Sequence, residues 1–380
     1  MKYLFHKDIV FVTILCFVVM WLLHFVAINT HLFNPISEAV ADFSYTDITL
    51  NTKINENAPL HPEIVVVNID TANRKQIAET INKLSQFNPK IIGLDVYFKD
   101  PKDAYTDSIL RNEINKTNIV LANKFNGEKN LLQKSYFERE NTQSGYINFV
   151  GFKIIRQCSF FEEINNKRYT SFSATIFKKS YPDRFKNLEH RMSGLHYINY
   201  VRRGDKFLTI RFDSIINYPP SVYKNKIVLM GFVANDKNSI EDKFITPVNN
   251  ENNELPEMSG VYIHANILSM LLEDNLLKKT SSFIQWLLAI IFTWLCVAFF
   301  LKYFIEKHLW FHLTVKITQL SVSVLLLYVQ VLFLQYFNRI IDFKYAIIGI
   351  ILSVDVLYFY EGFANWLRLK FKYKTIFKQH

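Results

Sequence analysis

Four long apolar stretches, at residues 9–28, 283–301, 317–337 and 345–367, confine this chain to a small set of architectures. Each offers roughly 20 residues, enough for a helix to cross a hydrocarbon core about 30 Å thick. They stand at the two ends of the sequence, and the polar, mixed residues between them have the character of a water-soluble domain. The expected organisation is a transmembrane anchor at 1–29, a soluble domain at 30–280, a three-helix transmembrane region at 281–367 and a basic tail at 368–380. After the first stretch comes NTHLFNPISEAV, which holds no small-residue cleavage site, so an uncleaved anchor is expected rather than a signal peptide.

The charge follows the same geography. Lys2, Lys7, Lys302, Lys307, Arg368, Lys370, Lys372, Lys374 and Lys378 flank the apolar stretches on one side, against Asp8 and Glu306. Seven of the ten net positive charges therefore sit beside the membrane, where topology and anionic lipid account for them. No nucleic-acid partner is needed. In the short flanks on the opposite side stand Arg339 and Lys344, and the long domain does not count because large loops translocate regardless of charge, so the positive-inside rule puts both termini in the cytoplasm and the soluble domain outside.

Chemistry is harder to find. Cys16, Cys158 and Cys296 are far apart, which argues against an intrachain disulfide and a thiolate zinc site. Neither a glycine-rich phosphate loop nor a nucleophile elbow occurs, so no enzyme, cofactor or metal is expected. Within the soluble part, apolar runs at 64–69, 91–98 and 118–122 alternate with helical spacing at 76–84 and 107–115, with Thr106 as N-cap of the second helix. This βαβαβ run implies an α/β domain with a mainly parallel sheet. Residues 145–150 and 153–160 read as an antiparallel pair of strands, and 126–144 as an exposed loop. A further strand, KIVLMG, ends in Gly231 and a long polar loop, then a helix begins near Gly260.

Asp70 and Asp95 each close an apolar strand, which places both carboxylates on the sheet edge where α/β proteins take ligands. Asp236 and Asp242 of the long loop, and His264 and Asn266 of the following helix, are candidates to join them around a polar ligand or hard cation. The competing reading is that the aspartates only cap helices and turns. Asp355 falls inside the last apolar stretch, where a charge needs a partner; Ser321, Ser323 and Gln330 of the preceding span are the candidates within the chain.

The segments IVVVNID, PKIIGLDVYF, KIVLMG, DKFITPV and SGVYIHANILSMLL, in this order, resemble the second type of CHASE domain, the extracytoplasmic sensor module of bacterial kinases and cyclases. The resemblance implies one helix, a sensor domain and three helices in a bacterial inner membrane. It also implies an output domain after the last helix, and this sequence ends in the basic tail instead. A separate protein partner reached through the helices or the outer domain is therefore expected, and a homo-oligomer is possible within the same scheme. The alternative is an accessory subunit of an envelope complex.

Overall fold

The computed structural model describes residues 4–30, 45–54, 58–126, 131–151, 154–234, 242–248, 256–306 and 310–377. The chain forms two units, Leu50–Leu277 and Met1–Thr49 with Lys278–His380. In chain order the helices are α1 (Lys7–Thr30), α2 (Tyr45–Thr52), α3 (Arg74–Gln86), α4 (Ala104–Lys116), α5 (Phe172–Ser180), α6 (Pro182–Glu189), α7 (Gly260–Leu272), α8 (Ser282–Ile305), α9 (Phe311–Phe337) and α10 (Lys344–Phe371).

The unit Leu50–Leu277 is built on one sheet of β1 (Ile64–Asn68), β2 (Ile91–Asp95), β3 (Ile119–Asn126), β4 (Leu131–Gln133), β5 (Gln143–Tyr146), β6 (Leu208–Arg211) and β7 (Ile227–Gly231). The order is β6-β1-β7-β2-β3, with β4 and β5 both paired to β3. Every pairing is parallel except that of β3 with β4. The continuous apolar runs are explained by helices on both faces, which leave no strand face for water. Ile64, Val66, Ile227 and Leu229 join the core under α5 and α7. Val65, Val67, Ile92, Leu94, Val228 and Met230 join the core under α3 and α4. Gly93 lets α5 settle closely, since a Cβ there would stand 2.5 Å from Ile176 Cδ1 and 2.9 Å from Leu229 Cδ2.

β7, the last strand of the sheet in sequence, slots between β1 and β2 and pairs with both over five residues. Its register brings Asn68, Gly231 and Asp95 abreast at the C-terminal edge. Asn68 then binds the chain leaving β7: its Oδ1 accepts from Val233 N at 2.9 Å and its Nδ2 donates to Val233 O at 2.9 Å.

Local details differ from the sequence reading. Asp103 caps α4 by accepting from Thr106 N at 2.8 Å, so Thr106 lies inside the first turn. The helix therefore begins earlier than the periodicity suggests, and Asp107 turns inward to a buried ion pair with Arg74. Among the described residues the expected antiparallel pairing of 145–150 with 153–160 reduces to one bridge, Val150 with Gln157. β5 instead extends the sheet in parallel on β3, whose edge satisfies four residues of its backbone. The segment 126–144 is more than a loop, because β4 pairs with the end of β3 and Phe137 is fully buried edge-on to Phe98.

In the other unit α8, α9 and α10 are long and apolar enough to cross a membrane. The third apolar stretch is helical from Phe311, within the reading that lets this span start as early as Leu309. α1 packs against α8 and α10 through Ile9, Val12 and Cys16, which meet Val297, Leu301, Val356 and Leu357. Asp8, fully buried at the start of α1, accepts hydrogen bonds from the hydroxyls of Tyr360, Tyr373 and Thr375 and from Ile376 N. These four donors satisfy a carboxylate that burial alone would penalise heavily. They also fasten residues 373–376 to the first helix.

Candidate functional site

The end of β2 delivers Asp95 into a cavity of about 540 Å³. Its walls come from the β2 and β3 edge (Asp95, Lys124), from residues 147–151 with Phe149, from Asp242–Ile245, and from Gly260 and His264 of α7. Two short pairings hold the loop side. Ile155 N donates to Ile245 O at 2.9 Å, and Lys243–Phe244 pairs antiparallel with Met258–Ser259. Gly260 N then donates to Asp242 O at 3.1 Å, so the residue before this pairing also starts α7. The Asp242 carboxylate lies against Gly260, where a Cβ would be 3.4 Å from Oδ2, and its charge suits a helix N-terminus. Asp242 itself has φ +50°, a left-handed conformation that aspartate tolerates better than most side chains.

The Asp95 side chain is 8 % exposed and its carboxyl makes no hydrogen bond to a described residue. Burial, and then the charge of Asp242, push its carboxyl from 3.8 up to about 8. His264 Nε2 lies 4.0 Å from Asp95 Oδ1, beyond hydrogen-bond range. The imidazole is 5 % exposed and burial pushes it down from 6.5 to about 3, so it is neutral. Its Nδ1 is 3.0 Å from Ser173 Oγ, and its ring rests between Phe149, with centroids 4.7 Å apart, and Phe172, at 5.1 Å. The two ring nitrogens thus face Ser173 on one side and Asp95 on the other. The serine, histidine and aspartate stand in a row, yet Ser173 is 1 % exposed and absent from the cavity wall, out of reach of anything inside it.

The structure thus brings three of the sequence candidates together: Asp95, Asp242 and His264. Asp70 stands apart. β7 separates β1 from β2, which puts the two strands about 10 Å from each other, and Asp70 Oδ2 faces Nη2 of Arg211, the last residue of β6, at 3.8 Å. Neither Asp70 nor Asp95 caps the next helix, since Asn73 and Asp103 do so. Asn266 lies on the other side of α7 from His264, two residues being about 200° of helical turn. Its Nδ2 donates to Tyr262 O at 3.0 Å. Asp236 lies outside the described residues. Asp355 is exposed on α10, and neither Ser321, Ser323 nor Gln330 hydrogen-bonds to it. Among the described residues no group of three or more His, Cys, Asp or Glu is arranged to hold a metal. Lys124, Phe149 and Ser173 went unread in the sequence, because they belong to the site only through the sheet order and the seating of α5.

A family model described as CHASE2 domain matches residues 13–301. Nothing among the curated proteins or the solved structures matches the chain.

Proposed function

Because the chain belongs to the CHASE2 domain family, we propose that it is a membrane sensor whose α/β domain faces outward and takes a small molecule in the cavity beside Asp95. The carrying observation is that carboxylate: nine-tenths buried, without a hydrogen bond to a described residue, at the wall of a cavity sized for a metabolite. Burying such a group unpaired is costly, and a perturbed carboxyl in a concave site is a functional signature. A ligand that offers Asp95 a hydrogen-bond donor or a positive charge supplies what burial has removed. This is a binding role; the module has no catalytic task in this reading.

Transmission follows the chain. His264 lies on α7, α7 ends at Leu272, and residues 273–281 lead directly into α8. A ligand that prefers one position of α7 biases whatever that position imposes on α8. α1 acts as a fourth span, and the basic flanks orient both termini toward the cytoplasm of a bacterial inner membrane. The signal leaves through the helices to a separate protein.

The test is thermal-shift screening of the full chain in detergent against polar metabolites, small amines and divalent cations. A true ligand raises the melting temperature of wild type and not of Asp95→Asn. Hits that shift both variants equally put the ligand elsewhere and refute the site. Orientation is checked by a reporter active only in the cytoplasm, expected to work after Lys378 and to be silent when inserted at residues 250–253.

A further inference from the structure

α9 and α10 run antiparallel. Gln319 Nε2 donates to Ile350 O and Ile351 O at 2.9 Å each, and the Tyr358 hydroxyl meets His312 Nδ1 at 3.5 Å. Between these two contacts lie Lys316, one turn after His312, and Asp355, one turn before Tyr358. The two charges are therefore at the same depth, and helical phase sets both on the same flank of the α9–α10 seam. Both side chains are exposed, and no ion pair or hydrogen bond joins either to a described residue. Asp355 is the harder to accommodate. It lies well inside a helix long and apolar enough to span the membrane, and a carboxylate has too short a stem to reach the interface as lysine can.

We propose that this flank is a contact between two copies of the chain, in which Asp355 of each copy pairs with Lys316 of the other. A two-fold interface brings the same patch of each subunit together, so residue i meets j and j meets i. A patch carrying one positive and one negative charge at matched depth satisfies that rule with itself, since the axis between the copies lays each charge against its opposite. The surrounding exposed face supports close approach. Gly362, two turns beyond Asp355, has nothing within 4 Å of where a Cβ would stand, and Ile348, Ile351 and Tyr358 continue the stripe. The inference is independent of the cavity, and a chain with no ligand at Asp95 would still self-associate.

The decisive experiment uses full-length chains with two different tags, co-expressed and co-purified from membranes. Wild type should recover wild type. Asp355→Lys should fail to recover itself, and so should Lys316→Asp, because each homodimer now opposes like charges twice. The mixture of Asp355→Lys with Lys316→Asp should recover as wild type does, since both cross-pairs are again opposite in sign. The neutral variants Asp355→Asn and Lys316→Gln cover any failure of the reversed charges to insert. They should lower self-recovery about 3- to 30-fold, the range that polar contacts between membrane helices sustain. A Lys316→Cys copy should also cross-link to an Asp355→Cys copy; the native cysteines Cys16, Cys158 and Cys296 are buried. Wild type that fails to recover itself, or neutral variants that recover undiminished, overturn the proposal. So does rescue by the double reversal within one chain combined with no rescue in the mixture, which makes the pair internal.

Discussion

Replacing Asp95 by Asn should make the outer domain more stable, by an amount that grows with pH. The folded carboxyl titrates at about 8 against 3.8 unperturbed. Between those values the folded protein keeps a proton that the unfolded chain has released, so stability falls as pH rises, by about 1.4 kcal/mol per unit. His264 has the opposite sign. Its folded value of about 3 lies below 6.5, so its contribution is intact above pH 6.5 and lost as pH falls toward 3. The two slopes cancel between pH 3.8 and 6.5, and from pH 6.5 to 8 only that of Asp95 remains. Wild type should therefore lose about 2 kcal/mol over that last interval from this group. Asn does not titrate, so the advantage of Asp95→Asn over wild type should widen by about 4 kcal/mol between pH 5 and 8. Water entering through the cavity reduces this figure without changing its sign. All five tryptophans (Trp21, Trp286, Trp294, Trp310 and Trp366) belong to the membrane unit, so their fluorescence does not follow the outer domain. Pulse proteolysis in urea at pH 5, 6.5 and 8, reading the fragment from the outer domain, measures the quantity directly. Midpoints that keep a constant separation across this range would refute the argument, because the carboxyl would then be ionised in both states.

Three further outcomes follow from the packing. Gly93→Ala should cost about 1–3 kcal/mol, because the added methyl displaces Ile176 and Leu229 in a filled core; urea denaturation of the outer domain measures it. Arg74→Ala should cost about 3–5 kcal/mol by leaving Asp107 buried and unpaired, whereas the double change Arg74→Met with Asp107→Leu should recover most of that loss. Asp8→Ala should release residues 373–376, seen as rapid protease cleavage after Lys372 or Lys374 in detergent-solubilised protein while the helices stay intact; unchanged protection would mean that Phe377, itself buried, holds the tail alone.

The sequence by itself determined whatever depends on local chemistry. Three C-terminal apolar stretches become helices long enough to span, and the buried strands 64–68, 91–95 and 227–231 are legible because covered parallel strands carry no polar alternation. Contacts between distant segments were not readable. Asp70 and Asp95 look equivalent in sequence, and only the insertion of β7 between their strands sends one toward Arg211 and the other into the cavity. His264 gains its place from Ser173, a residue 91 positions away. Arg74 finds Asp107 across two helices, and Asp8 finds Tyr360, Tyr373 and Thr375 from the opposite end of the chain. Hydropathy reports whether a residue avoids water. Which buried charge meets which partner is set by strand order and helix seating, and those are fixed only when the whole sheet has closed.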